Sequence, residues 1–508
     1  MGTSRWWPNG CAPRSSADVL SKHTSVLFEC AKLDSAQLEA EGREDSGARL
    51  QRSLGTSSLV MLGVGNAIGA GIFVLTGTAA AQHAGPGIAI SYLIAGLVCF
   101  LTSLCYAELS ALIPSAGGAF AYARVSLGRL GAWAIGWCMI AEYLLAGATV
   151  AVGWSGYAQG LLHQLGLALP AHLSTAPFKV VHGELVRSGS LVNLPALLLV
   201  IGCTLVLMRG LRESTIAGHL MVGIKIAVIV LVLIVGVGYI STHNWQPFVP
   251  PEDATGRFGW GGVLTASAIA FFSYSGFEAM SAAAVEARDP ARTLPRALLW
   301  ALAICMLLYV SMALVMTGLA PYTTLNTASP ISTALLHASD RLGWLVLMVN
   351  TGTVIGLAAP VLISLYGQIR TFYTMAHTGY MPPMFARVHA KHRTPVAGTL
   401  VVGVVASLIA ALLPIDLLGE LVSLGILFAF ASVCIGVIVL RRRYPQVRRP
   451  FAVPVYPWVP LLGFLSCIGL TFTLPRLTWI YLTSWLALGG LFVVVWTRAR
   501  AATNGVRV

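Results

Sequence analysis

Long apolar runs separated by short polar connections fill the chain from about residue 52 to near its C-terminus. A helix needs about 20 apolar residues to cross the hydrocarbon core of a bilayer. The pattern therefore predicts an all-α polytopic membrane protein, with lipid as its surroundings. It predicts twelve transmembrane helices, at residues 56–81, 87–112, 130–160, 191–208, 215–241, 260–285, 296–318, 341–374, 394–413, 416–440, 456–474 and 477–497.

Two of these segments are interrupted by glycine and polar residues. They read GVGNAIGAGIFVLTG (Gly63 to Gly77) and AFFSYSGFEAMS (Ala270 to Ser281). A break in a membrane helix frees backbone groups, each of which costs several kcal/mol in lipid unless it lines a cavity or finds a partner. Paired interruptions in corresponding halves of a polytopic chain predict a secondary transporter whose substrate is held near the bilayer midplane.

The chain divides into three regions. Residues 1–51 are polar and rich in acidic side chains, which predicts a largely disordered cytoplasmic tail. Residues 52–498 form the predicted transporter domain, and residues 499–508 a second cytoplasmic tail. A content of 56% hydrophobic and 10% charged residues, with a mean hydropathy of +0.78, excludes a soluble domain of this length.

The net charge of +13 reflects topology. Most Lys and Arg residues fall in the tails and in alternate predicted loops, which places both termini in the cytoplasm by the positive-inside rule. The basic charge then indicates no nucleic-acid partner. The nine cysteine residues include no CxxC pair, so the sequence predicts neither a metal site nor a disulfide framework, and no cofactor.

Three ionisable residues stand well inside predicted spans: Glu142, Lys225 and Glu278. A charge at bilayer depth costs roughly 2.5–3.5 kcal/mol, so each of them is a candidate functional residue. At about 1.5 Å per residue, Lys225, Glu142 and the Gly69 interruption lie at similar depths. The two glutamates have four open roles: a contact to a cationic substrate, a pair with Lys225, a hydrogen bond accepted from an unwound backbone, or a polar contact between helices.

The first interruption has two interpretations. An unwound turn at Gly69, Ala70 and Gly71 would expose N–H groups at the start of a half-helix, as a seat for a carboxylate. Alternatively, Gly65 and Gly69 have the GxxxG spacing of close helix packing. The density of glycine over residues 63–71 favours the seat.

The second interruption leaves carbonyls that an ammonium group could use, near Ser273 and Ser275. Phe272, Tyr274 or Phe277 could close over a ligand, although an aromatic residue there also fits ordinary packing. Lys225 also keeps two interpretations. A lysine removed from water can give up its proton near neutral pH and so carry one during transport. It can instead remain charged and occupy the place of a structural cation beside the unwound carbonyls.

Several longer motifs resemble the amino acid–polyamine–organocation superfamily, specifically bacterial members of its cationic amino acid transporter branch. They are GNAIGAGIFVLTG, AGPGIAISYLIAGLVCFLTSLCYAELSALIPSAGGAFAYA, GWCMIAEYLLAGATVAVGWSGYAQ, FFSYSGFEAMSAAAVEARDPARTLP and GQIRTFYTMAHTGYMPP. The resemblance covers nearly all of residues 52–498. It implies two inverted five-helix repeats (about 56–241 and 260–440), with helices 1 and 6 broken, two extra helices (about 456–497), and proton-coupled alternating access.

The resemblance also implies roles for individual residues. The first broken helix would hold the substrate carboxylate, and the sixth its amine; these positions are Ile68, Gly69, Ala70 and Gly71, and then Phe272, Ser273 and Ser275. The family's fifth-helix lysine matches Lys225, and its third-helix glutamate matches Glu142. The chain departs from the family pattern at Ala70, at Glu278, and in the stretch GLAAPVLISLYGQ, so the substrate stays open.

The predicted function is secondary active transport of a cationic or small neutral α-amino acid, coupled to protons, in the cell inner membrane. The alternatives are a sodium-independent exchanger or antiporter, or a polyamine transporter of the same fold. An enzyme is disfavoured, because the sequence has no nucleophile elbow and no HExxH motif. A channel is disfavoured as well, because no repeated filter motif is present.

Overall fold

The architecture is a bundle of α-helices. The computed structural model describes residues 55–113, 115, 117–181, 184–209, 215–253, 257–276, 280–281, 283, 287–389 and 394–503. The predicted N-terminal tail and Glu278 lie outside these residues. The helices are α1 (Thr56–Ala67), α2 (Thr76–Ala79), α3 (Ile88–Leu112), α4 (Gly118–Ser126), α5 (Gly128–Gln164), α6 (Leu194–Arg209), α7 (Thr215–Gly236), α8 (Gly259–Ala270), α9 (Pro290–Leu319), α10 (Pro330–Ala338), α11 (Gly343–His377), α12 (Val396–Leu412), α13 (Ile415–Arg443), α14 (Trp458–Phe472) and α15 (Arg476–Thr503).

Helices occupy every one of the twelve predicted segments, and the chain is a multi-pass membrane protein. Among the described residues, seven helical stretches are long and apolar enough to cross a bilayer: Gly71–Leu112, Gly128–Gln164, Leu220–Tyr239, Arg292–Leu319, Asp340–His377, Ile415–Arg443 and Arg476–Trp496. Three further apolar helices, α6, α12 and α14, are shorter. The full set of twelve crossings and the inverted repeat stay predictions.

Both predicted interruptions are visible in the backbone. Helix α1 ends at Ala67, and the chain bends at Ile68 and Gly69. It then continues as a π-helix, the short helix α2 and a second π-helix, Gly71–Leu75, Thr76–Ala79 and Ala80–Ala84. Helix α8 ends at Ala270 and tightens into a 3-10 turn, Phe271–Tyr274. We call these segments the first break (Ile68–Gly71) and the second break (Phe271–Ser275).

A β-hairpin lies between α5 and α6, which the all-α prediction did not include. Its strands are β1 (Phe178–Val181) and β2 (Glu184–Arg187), paired antiparallel with Phe178 opposite Arg187. Each strand has apolar residues, such as Val180 and Val186, next to charged residues, such as Lys179 and Arg187. The hairpin is too short and too polar to form a span, so a search for apolar runs passes over it.

Helix α9 begins at Pro290, six residues before the predicted start at 296. Residues 290–295 were left outside the predicted spans, but they form the first turns of this helix. Asp289 precedes the helix and its carbonyl accepts the N–H groups of Arg292 and Thr293 at 3.1 and 2.8 Å. Proline suits the first helical position, because its missing N–H has no partner there anyway.

The longest helices form the core around the two breaks. Helix α5 packs along α11 and α13, while α3 packs along α8 and α9. Helix α7 contacts α1 and α11, and the 3-10 turn of the second break lies against the first break. This arrangement surrounds both breaks with long helices and removes them from lipid.

Candidate site at the two helix breaks

Lys225 on α7 lies at the first break and is fully buried. Its Nζ donates hydrogen bonds to the carbonyls of Gly65, at 2.6 Å, and Ile68, at 2.9 Å. The end of a helix leaves its last carbonyls without intrahelical donors, so the lysine supplies donors that the break requires. Hydrogen bonds from a charged donor are roughly twice as strong as neutral ones.

The stem of Lys225 packs against Gly356 on α11. A methyl group added at Gly356 would lie 2.7 Å from Lys225 Cδ, and closer still to Cγ. Four residues later α11 contains Pro360, which has no N–H to donate to the Gly356 carbonyl. The side of α11 that faces Lys225 therefore combines a steric slot with a carbonyl freed from the helix.

The glycine residues of the first break serve two purposes. A methyl group at Gly63, Gly65 or Gly71 would collide with Met280, Val222 or Ser273 respectively. At Gly69, in contrast, the nearest such neighbour is Val150 Cγ2, at 3.8 Å. Three of the four glycine residues therefore permit close packing, and space remains at Gly69, where the carboxylate seat is predicted.

Ser273 joins the second break to the first. A methyl group at Gly71 would lie 2.7 Å from Ser273 Cβ and 2.8 Å from its Cα, so the serine occupies the place of a side chain there. The Ser273 carbonyl accepts a hydrogen bond from the Tyr309 hydroxyl at 2.7 Å. The Phe272 carbonyl accepts one from the Ser275 N–H at 3.1 Å. Of the three positions assigned to a substrate amine, the Phe272 and Ser273 carbonyls thus already have one donor each, and each keeps a second lone pair.

Tyrosine hydroxyl groups contact both breaks, which sequence reasoning did not predict. Tyr92 on α3 donates to the Gly71 carbonyl at 3.0 Å and lies 2.7 Å from Thr76 Oγ1. Tyr157 on α5 donates to the Phe73 carbonyl at 2.5 Å. A tyrosine in the middle of an apolar helix was the available signal, because a buried hydroxyl usually has a hydrogen-bond partner.

Glu142 on α5 is also buried, with 3% exposure, but it faces α13. A methyl group at Gly425 would lie 3.4 Å from Glu142 Cβ. Val150, which borders Gly69, lies eight residues further along α5, or about 12 Å. These contacts place Glu142 beside α13, and a contact with substrate stays a prediction. Within the described part of the chain, no three His, Cys, Asp or Glu residues are grouped to hold a metal ion.

The chain is a bundle of membrane helices with two interrupted segments, and a buried lysine binds the freed carbonyls of the first. Paired interruptions of this kind are a feature of secondary transporters. The chain belongs to the amino acid permease family, whose model matches residues 54–496. The resemblance noted in the sequence is thereby confirmed. The chain is a membrane transporter and not an enzyme.

Three curated relatives match between 78% and 92% of the chain. It is 39% identical to the methylthioribose transporter of Bacillus subtilis, over 92% of this chain and 98% of the relative. It is 38% identical to the branched-chain amino acid permease BcaP of the same organism, over 90% of this chain and 95% of the relative. It is 35% identical to the vacuolar cationic amino acid transporter 4 of Arabidopsis thaliana, over 78% of this chain and 65% of the relative.

Proposed function

We propose that this chain imports an α-amino acid across the cytoplasmic membrane together with a proton, by alternating access. The observation that carries the proposal is the contact of the buried Lys225 ammonium with the Gly65 and Ile68 carbonyls. The distribution of basic residues supports cytoplasmic termini. The substrate carboxylate binds the backbone at Ile68, Gly69, Ala70 and Gly71, and its amine binds the second break.

The surroundings of the first break support a neutral side chain on the substrate. The described neighbours Val150, Tyr92 and Ser273 carry no charge, and Lys225 would repel a cation. Glu142, the carboxylate proposed for a cationic substrate, lies about 12 Å along α5 from Val150. Because BcaP is named for branched-chain amino acids, we propose a neutral aliphatic amino acid as the substrate.

A second candidate is a neutral thioether sugar. The chain is 39% identical to a relative named for methylthioribose, which has neither a carboxylate nor an amine. Uptake of radiolabelled leucine into proteoliposomes, challenged with excess valine, lysine, methylthioribose or leucine methyl ester, separates these candidates. We expect valine to compete and the other three compounds to compete poorly. Inhibition by the ester equal to that by the free acid would contradict recognition of the carboxylate.

The donor count at Lys225 supports a proton-carrying lysine. A charged ammonium has three N–H donors, and a neutral amine has two. Two acceptors are recorded for Nζ in the described part of the chain, the Gly65 and Ile68 carbonyls. Loss of the proton would therefore cost neither of these two hydrogen bonds.

Proton coupling is tested in the same proteoliposomes. We expect an inward proton gradient to increase uptake and the exchange of sodium for potassium to leave it unchanged. Lys225→Ala should abolish uptake, because it removes the titrating group and the donors to two buried carbonyls. Lys225→Arg should also fail, because guanidinium keeps its charge at any relevant pH. Proton-driven uptake by Lys225→Arg would show that the lysine is a fixed cation and that a carboxylate such as Glu142 carries the proton.

A further inference from the structure

The hydroxyl of Tyr92 lies between the two breaks. It donates to the Gly71 carbonyl at 3.0 Å and lies 3.4 Å from Ser273 Oγ. Its third neighbour, Thr76 Oγ1, at 2.7 Å, also donates to the Gly71 carbonyl, at 3.1 Å. All of these groups are buried. One hydroxyl thus connects the end of the first break to the middle of the second.

Two further tyrosines hold this hydroxyl in position. Tyr274 donates to the Tyr92 carbonyl at 2.9 Å, and Tyr309 donates to the Ser273 carbonyl at 2.7 Å. The three rings pack together, with centroid separations of 5.1 to 6.3 Å. All three side chains are fully buried, so each ring is confined by its neighbours. We call Tyr92, Tyr274 and Tyr309 the tyrosine cluster.

We propose that Tyr92 is a positioning residue that fixes the separation between the carboxylate seat and the amine seat, and so selects α-amino acids over β-amino acids. This inference rests on the proposed function, because it assigns one seat to each break. The carboxylate and amine of a β-amino acid are separated by one more carbon–carbon bond, about 1.5 Å. A site with a fixed separation rejects that extra length, whereas a site whose breaks can move apart tolerates it.

The network makes the separation depend on the hydroxyl. The glycine at position 71 already permits van der Waals contact between the breaks, but apolar contact has little directional preference. The hydrogen bonds of Tyr92 add direction, because they weaken steeply as the angle at the hydrogen falls. Tyr92→Phe removes these bonds and keeps the ring among its neighbours.

The test compares Vmax/KM for an L-α-amino acid and for its β-homologue in proteoliposomes. Tyr92→Phe should lower the ratio of the two values, α over β, by about tenfold. Tyr309→Phe, which frees the Ser273 carbonyl, should lower the ratio in the same direction and serves if the first variant does not fold. The matched control is Tyr157→Phe, which removes a buried hydroxyl that bonds to the Phe73 carbonyl and to the Ile331 backbone, outside the tyrosine cluster. The control should keep the wild-type ratio whatever its total activity.

The outcomes separate this inference from the proposed function. If the wild-type protein takes up no α-amino acid, the proposed function fails. In a second outcome, the wild-type protein takes up the α-amino acid while both cluster variants lower Vmax/KM for the two substrates by the same factor. The hydroxyl groups then only stabilise the fold, and the inference is overturned. A changed ratio in Tyr157→Phe of the same size would also overturn it, because loosening of any buried tyrosine would then suffice.

Discussion

The slot at Gly356 provides a way to move Lys225 without changing the lysine. A methyl group at this position would lie 2.7 Å from Lys225 Cδ, and this gap has to widen to at least 3.4 Å for an ordinary contact. The crowded atoms lie in the middle of the stem, so the ammonium must move with them. We therefore expect Gly356→Ala to pull Nζ away from the Gly65 and Ile68 carbonyls.

The expected effect follows from the two hydrogen bonds. They measure 2.6 and 2.9 Å, and a separation of about 3.6 Å no longer counts as a hydrogen bond. Loss of one bond to a charged group costs about 1.5–3 kcal/mol. At about 1.4 kcal/mol per tenfold change, the population of the lysine-bound state falls by roughly 10- to 100-fold. Uptake driven by a proton gradient should fall by a similar factor.

Proteoliposome uptake and thermal unfolding together check this reasoning. The matched control is Gly147→Ala on α5, where the added methyl group would meet Ser364 Cβ at an ordinary 3.5 Å. If the clash acts through the lysine stem, the double variant Lys225→Ala with Gly356→Ala should be no less stable than Lys225→Ala alone, a non-additive result. Wild-type uptake by Gly356→Ala, or additive losses of stability, would refute the reasoning.

Three other predictions concern separate parts of the molecule. Gly71→Ala should lower the unfolding temperature and abolish uptake through its clash with Ser273, whereas Gly69→Ala should fold normally and raise KM. Glu108→Gln should destabilise by about 3–5 kcal/mol, because it breaks a buried ion pair with Arg441. Gln368→Met should raise the unfolding temperature, because both polar atoms of this buried amide lack a hydrogen-bond partner in the described structure, and a buried polar group left unpaired costs about 1–3 kcal/mol.

Each of these has a control or a contradicting outcome. Equal unfolding temperatures for Gly69→Ala and Gly71→Ala would contradict the division of the glycine residues. Asp289 pairs with Arg292 at the surface, where their side chains are 53% and 80% exposed. Asp289→Asn should therefore change stability by less than about 1 kcal/mol, in contrast to Glu108→Gln. A lower unfolding temperature in Gln368→Met would indicate that the amide binds ordered water.

The strength of the Glu108 prediction comes from its contacts. The carboxylate is 1% exposed and accepts hydrogen bonds from Arg441 Nε at 2.9 Å and from the Val453 N–H at 2.7 Å. Arg449 Nε lies 3.3 Å from the same carboxylate. In Glu108→Gln a neutral amide would face the two arginine cations. The loss of stability should therefore exceed the loss from breaking a surface ion pair. Thermal unfolding in detergent measures the difference.

Local features of the sequence were sufficient to predict the helices and the positions of the two interruptions. Apolar runs of about 20 residues have few alternatives in lipid, and glycine with serine in such a run marks a break. The tyrosine cluster could not be predicted in the same way. Tyr92 and Tyr309 meet the breaks only after four distant segments pack, and a lone tyrosine in an apolar run also suits ordinary packing. The short helix α10 was missed because nine residues cannot form a span.

The first break shows why glycine density alone leaves function open. Close packing and a ligand seat both require the absence of a side chain, so Gly65 and Gly69 fit either explanation in the sequence. The structure separates them through their neighbours: Val222 fills the space at Gly65, while the nearest neighbour at Gly69 stands 3.8 Å away. A glycine whose space is filled by protein is explained by packing. At Gly69 a methyl group would meet only ordinary van der Waals contacts, beside a freed backbone, so packing does not explain this glycine, whereas the proposed substrate seat does.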